Sequence, residues 1–110
     1  MNPTLDPIAR EIRDAIVREL DPERIVLFGS HARGDARPDS DWDFLIIGEL
    51  QAGESRRASL GRLYRALGHM GVGKDLLFYT PSEVEQWKAA LNHVIAQALR
   101  EGQVLYDRAS

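Results

Sequence analysis

The stretch Gly29–Ile47, GSHARGDARPDSDWDFLII, decides how the rest of the chain is read. It begins where one apolar run, Arg24 to Phe28 (RIVLF), has just ended, and it closes on a second, Trp42 to Ile47, stopped by Gly48. Both runs have the length and the apolar content of buried strands. Between them, GSHARGDARPDSD holds two glycines, one proline and five charged residues, a composition that belongs at a surface. Ser30 to Arg33 suits the first turn of a short helix, and the remainder reads as loop. The link is too short for a full crossover helix, so an all-parallel sheet is disfavoured and a mixed or antiparallel one preferred.

Working outward, Asp6 and Pro7 form a helix start, with Asp6 as cap and Pro7 at the first helical position. Ile8, Ile12, Ile16 and Leu20 follow at helical spacing, and Asp21-Pro22 ends the helix. Beyond the second strand, Leu60, Leu63, Tyr64 and Leu67 mark an amphipathic helix over Ser55 to Leu67, with Arg56, Arg57, Arg62 and Arg65 read as its solvated cations. Gly68, Gly71 and Gly73 terminate it, and Asp75 to Tyr79 (DLLFY) is a third strand. Thr80-Pro81-Ser82-Glu83 is a capping-box start for one long last helix, whose stripe is Trp87, Leu91, Val94, Ile95, Ala98 and Leu99. His93 falls on its polar face. Gly102 stops it, and Val104 to Tyr106 adds a short edge strand. Helices alternating with apolar strands predict an α/β (α+β) layer architecture: a small mixed sheet of three to four strands with helices packed against it.

Composition bounds the function. The 110 residues are one domain's worth of chain, 44% hydrophobic and 28% charged, with a net charge of −3. That balance argues against direct binding of long nucleic acid, which calls for a basic excess. No cysteine is present, so disulfides, thiolate metal sites and a cysteine nucleophile are excluded. No apolar run approaches the ~20 residues of a membrane span. The opening MNPTLDPIAR lacks a secretory pattern, and the expectation is a cytoplasmic single domain over residues 1–110.

Chemistry gathers around the quoted stretch. Gly29-Ser30 leaves a strand for a predicted helix start, where backbone N–H groups and the Ser hydroxyl suit an anion and glycine admits its close approach. Ten residues later stands Asp41-Trp42-Asp43. Residues two apart in a strand share a side, so Asp41 and Asp43 present paired carboxylates while Trp42 and Phe44 pack on the other face. An unpaired charge inside an apolar strand is expensive, and a cation must offset it. Two carboxylates beside a phosphate cradle suit Mg2+. A third, for which Asp75 is the candidate, would allow two ions bracketing an in-line displacement and would accept the proton of an attacking hydroxyl. Gly-Ser alone is a common turn and Asp-x-Asp alone a common solvated cap; their conjunction at this spacing, at a strand end and on a strand, is what points to function.

Gly29-Ser30, ten intervening residues, Asp41-x-Asp43 and a later Asp75 resemble the nucleotidyltransferase superfamily that includes DNA polymerase beta. GSHARGDARPDSDWDFLI, KDLLFYTPSE and the terminal EGQVLYD resemble, more narrowly, the minimal nucleotidyltransferases, antitoxin partners of HEPN-domain toxins. The resemblance implies that fold. It implies that Gly29 and Ser30 hold the triphosphate of ATP, that Asp41, Asp43 and Asp75 hold Mg2+, and that Asp75 is the base. Arg33 lies in the matching loop as a phosphate contact, and Gly34 serves the loop's turn. The implied activity is transfer of AMP from ATP to a hydroxyl, a tyrosine of the partner HEPN toxin, which silences it. Two other functions fit the same residues: an antitoxin that neutralises by docking without catalysis, and a transferase acting on a small molecule of the aminoglycoside kind. His31, His69 and His93 have no metal-ligand spacing and read as loop, helix-end and helix-face residues.

Overall fold

A computed structural model describes residues 5–90 and 93–109. The elements run α1 (Pro7–Leu20), β1 (Arg24–Phe28), α2 (Ser30–Arg33), β2 (Trp42–Ile47), α3 (Arg56–Ala66), a 3-10 turn (Gly68–Met70), β3 (Lys74–Tyr79), α4 (Pro81–Trp87), α5 (Val94–Glu101) and β4 (Gln103–Asp107). The strands form one mixed sheet in the order β3-β2-β1-β4. β1 is antiparallel to both β2 and β4, and β2 is parallel to β3. The short link across Gly29–Asp41 therefore makes an antiparallel pair. The longer β2–β3 connection carries α3 and makes the parallel one, as chain length requires.

Each face of the sheet has its own apolar layer. Even-numbered residues of β2 (Trp42, Phe44, Ile46) join Ile25 and Leu27 of β1, Leu76 and Phe78 of β3, Ile12, Ile16 and Leu20 of α1, and Leu63 with the adjacent Leu67 from α3. Leu45 and Ile47 face the other way, with Val26 and Phe28, against Ile95 and Ala98 of α5 and Val84 of α4. Both faces of the two central strands are covered, which is why they read as unbroken apolar runs rather than alternating ones. α1 keeps its expected bounds. The Asp6 side chain accepts from the Ile8 amide at 2.8 Å, and Asp21 closes the helix in the left-handed region at φ 46°.

Three expectations are corrected. The single long last helix is two: α4 ends at Trp87 and α5 begins at Val94, with His93 extended between them (φ −90°, ψ 142°). His93 is not a helix-face residue but the cap of α5, its Nδ1 accepting from the Ile95 amide at 3.1 Å. Trp87, assigned to the apolar stripe, is 39% exposed and stacks on the His93 ring at 4.7 Å between centroids. Leu91 of the same stripe lies outside the described residues.

The second correction concerns the arginines of α3. Arg57 and Arg65 are exposed as expected. Arg62 instead bonds the Glu19 carbonyl at the end of α1, the Glu19 carboxylate at 3.3 Å and Glu54 at 2.7 Å. Arg56 pairs with Glu83 at 2.5 Å and lies 5.4 Å from the centre of the Tyr79 ring. Ser59, a polar residue on the inner side of α3, is buried because its hydroxyl donates to Glu54 Oε1 at 2.7 Å. The third correction is small but bears on the site: β3 starts at Lys74, so Asp75 is its second residue and lies in the ladder.

Candidate functional site

The carboxylates lie where β1 ends and β2 and β3 begin. In the ladders, Asp43 is opposite Phe28 on one side and Asp75 on the other. Residues in register on parallel strands point to the same side of the sheet, so Asp43 and Asp75 share the face that carries Leu45, Ile47 and α5. Asp41 stands one residue ahead of β2, beside Gly73, and its charge acts on Asp43. Trp42, between them, is buried on the opposite side, as the alternation predicted.

Asp43 is half-buried, while Asp41 and Asp75 are exposed. Burial, and then the carboxylates of Asp75 and Asp41, hold Asp43 above the ordinary carboxyl range; His31 and Arg33 pull it partly back. The site is thus short of positive charge around its most buried acid. Like charges on one face repel, and the acids rest over separate glycines. Asp43 Oδ2 fills the place a Cβ of Gly29 would take, and Asp41 Oδ1 fills that of Gly73. Gly29 also has φ +76°, a second reason for glycine there. Among the described residues, no three His, Cys, Asp or Glu side chains are gathered closely enough to ligate one ion as they stand. The donor set itself, all carboxylate oxygen with an under-compensated acid at its centre, matches a hard divalent cation in chemistry.

The turn after β1 differs from its sequence reading in one respect. The Gly29 N–H, assigned to an anion, donates to Glu101 Oε1 at 3.1 Å. Ser30 and His31, at the start of α2, keep N–H groups with no carbonyl one turn back. Arg33 Nη1 reaches the same Glu101 oxygen at 3.1 Å, and its Nε lies 3.3 Å from Asp35 Oδ2. Asp35 and Glu101 hold the Arg33 guanidinium above its ordinary pKa, with the Asp35 hydrogen bond foremost. His31 is a loop residue, as expected, with a definite partner: its ring stacks on Trp42 at 3.5 Å between centroids and 7° from parallel, and Nε2 lies 3.2 Å from the Ser40 carbonyl. Glu101 was missed in the sequence. Its only signal there was membership of the EGQVLYD segment.

Two grooves, of about 390 and 370 Å3, lie elsewhere. One is at the opposite end of the central strands, lined by Arg24, Ile47, Val84 and Asp107. The other runs between α1 and the end of α3, lined by Arg10, Asp14, Leu67 and His69. Neither is lined by Asp41, Asp43, Asp75 or a residue of the glycine-serine turn. Charge marks the candidate site, where Asp41 and Asp75 are exposed at the strand ends.

The described residues thus form a small mixed α/β domain with acids on adjacent strands beside a glycine-serine turn. Residues 9–105 match the family model described as a nucleotidyltransferase domain, and the chain belongs to that family. Among solved structures, the fold is similar to a toxin-antitoxin crystal structure with AMP-PNP: TM-score 0.65, 17% identity, 89% of this chain and 72% of that one. A chain provisionally named a minimal nucleotidyltransferase is 25% identical, with TM-score 0.58 over 93% of this chain and 98% of its own. A further similar structure is a nucleotidyltransferase, also provisionally named, from Sulfolobus solfataricus: TM-score 0.60, 20% identity, 94% of this chain and 80% of that one. No curated protein matches the sequence significantly. No helix among the described residues is long and apolar enough to cross a membrane.

Proposed function

We propose that this chain transfers AMP from ATP to a hydroxyl of a partner protein, a tyrosine of a HEPN-domain toxin, and so acts as its antitoxin. The observation that carries the reading is the register of Asp43 against Asp75, with Asp41 two residues away and its charge acting on Asp43. Support for the partner comes from the similarity to toxin-antitoxin structures and to a minimal nucleotidyltransferase.

Ser30 and the N–H groups that open α2 would hold the triphosphate, with Gly29 giving the turn its left-handed φ and Arg33 adding a cation. Asp41, Asp43 and Asp75 would hold Mg2+. When bound, the ion would neutralise charge on the phosphates and lower the cost of the crowded acids. The acceptor oxygen attacks the α-phosphorus; a phosphorus–oxygen bond forms to the acceptor, the bond to pyrophosphate breaks, and pyrophosphate leaves. Asp75, the most solvent-facing acid within the ladder, takes the hydroxyl proton. The exposure of Asp41 and Asp75 leaves them accessible to an acceptor borne on another protein, and positioning of the two substrates supplies much of the rate.

The test is transfer of label from α-labelled ATP to a co-expressed HEPN partner. Wild type labels the partner, and Asp41→Ala and Asp43→Ala reduce labelling by at least a hundredfold, as expected when groups that stabilise the transition state are lost. Equal labelling by all three would refute the assignment. Rescue of cells by both variants without labelling would favour neutralisation by docking, and labelling of a free aminoglycoside instead of the protein would favour the small-molecule reading.

A further inference from the structure

Glu101 is the last residue of α5, yet its carboxylate ends at the turn that follows β1, 72 residues earlier in the chain. One oxygen, Oε1, accepts from the Gly29 N–H at 3.1 Å, from Arg33 Nη1 at 3.1 Å and from Gln97 Nε2 at 3.5 Å. The Glu101 side chain is 23% exposed, and its bond to the Gly29 N–H is partly shielded from water. The backbone that carries it is fixed as well. A Cβ at Gly102 would overlap Ala98 O and Val26 Cγ1, so the chain leaving α5 is pressed onto β1.

The two groups that Glu101 ties are not arbitrary. Gly29 is the residue over which the Asp43 carboxylate rests, with no room for a side chain between them. The Arg33 charge acts on Asp43, drawing its carboxyl down against burial. Shifting Gly29 would move the start of α2 relative to Asp43. Releasing Arg33 would leave it to Asp35 alone, 3.3 Å away in the exposed loop.

We propose that Glu101 is a positioning residue for the nucleotide, clamping the Gly29 amide and the Arg33 guanidinium so that the glycine-serine turn meets a triphosphate in one fixed geometry. The proposal rests on the nucleotidyltransferase reading above. Glu101 does not touch the reacting atoms; it acts through Gly29 and Arg33. Fixing donors before the ligand arrives removes an ordering cost from binding, which is how a group outside the contact surface raises affinity.

The experiment has two readouts on wild type, Glu101→Gln and Glu101→Ala. The first is amide exchange at Gly29 in the nucleotide-free protein. The second is ATP affinity with magnesium, by calorimetry. In Glu101→Ala, Gly29 exchange accelerates at least tenfold, and the Kd for ATP rises about tenfold, the loss of one charge-assisted bond's ordering effect. Glu101→Gln keeps an oxygen for the Gly29 amide and loses the charge that holds Arg33. It retains most of the exchange protection and shows an intermediate Kd. Should Glu101→Ala fail to fold, Glu101→Gln decides by its Kd. Unchanged Gly29 exchange in Glu101→Ala, or ATP affinity that is equal or tighter in the variants, overturns the proposal. Tighter binding would mark Glu101 as a competitor for the phosphates instead. Wild type that binds no nucleotide would sink the nucleotidyltransferase reading and the nucleotide role with it, while the exchange data would still judge the clamp.

Discussion

Asp43 is ionised at a cost that its apolar neighbours in β2 do not bear. Burial and two neighbouring carboxylates raise its pKa above the ordinary 3.8, so the folded state binds its proton more tightly than the unfolded state does. The sign follows from linkage. Protonated Asp43 stabilises the fold at low pH, and that stabilisation is lost as pH rises from 3.8 through the raised folded value. Asp43→Asn removes the loss. At pH 7 the variant's Tm should exceed wild type by roughly a few degrees, with no advantage below pH 3.8. The same variant should lose magnesium-dependent ATP binding. A lower Tm at pH 7 would mean that the carboxylate is held by contacts that the asparagine cannot keep. Gly29 predicts the opposite sign. Gly29→Ala imposes φ +76° on a residue with a Cβ and drives that Cβ into Asp43, and it should cost more than ~1 kcal/mol in denaturant unfolding. The side of Asp43 was legible in the sequence because alternation in β2 sets it opposite buried Trp42 and Phe44, whereas Asp41 stands one residue ahead of the strand. Glu101 was not, because its partner is a backbone amide across the sheet and no local spacing encodes that contact.

Among the elements, α1, β1 and β2 were legible from periodicity and punctuation, and the break between α4 and α5 was not. Lys88, Ala89 and Ala90 contain no glycine or proline and favour helix, so propensity runs straight through the point where α4 ends. What stops it is outside that window: His93 caps α5 with its own ring nitrogen, and Ile95 and Ala98 of α5 are drawn onto β1 and β2. α4 is left as a short helix with no buried residue, held chiefly at its start. There Thr80 Oγ1 accepts from the Glu83 amide at 3.2 Å, and Glu83 accepts from the Thr80 amide at 2.8 Å. Thr80→Ala should cost about 1 kcal/mol. Because α4 packs so little, the cost should appear first as faster exchange of the Val84 and Lys88 amides. The Thr80 amide, ahead of Arg56 and against burial, holds the Glu83 carboxyl below its ordinary 4.5. A lowered acid stabilises above its unfolded pKa and ceases to as pH falls through the folded one. The cap should therefore hold at neutral pH and release below 4.5, with the same two amides reporting it. Exchange at Val84 and Lys88 that ignores both the substitution and the pH would show that α4 is held by something other than its cap.

At the scale of the whole molecule, the candidate site draws on both halves of the chain. Its acids stand on β2 and β3, its glycine-serine turn follows β1, and that turn is tied to α5, which packs on the face opposite α1 and α3. A ligand that bridges the acids and the turn therefore engages elements that must all be in place together. Binding to such a surface stabilises the folded state as a unit, by an amount set only by ligand concentration and affinity. ATP with magnesium at about a hundred times its Kd should add roughly 2.7 kcal/mol, or a Tm rise near ~10 °C for a domain this size. The rise should appear as a single shifted transition, because no part of the sheet can unfold while the bridge persists. Asp41→Ala and Asp43→Ala should abolish the shift, and either ATP or magnesium alone should give only a fraction of it. Thermal unfolding followed by circular dichroism separates these cases. An equal shift in the alanine variants would place ATP on one of the two distant grooves, away from the acids, and a shift confined to a second transition would show that the two faces of the sheet unfold independently.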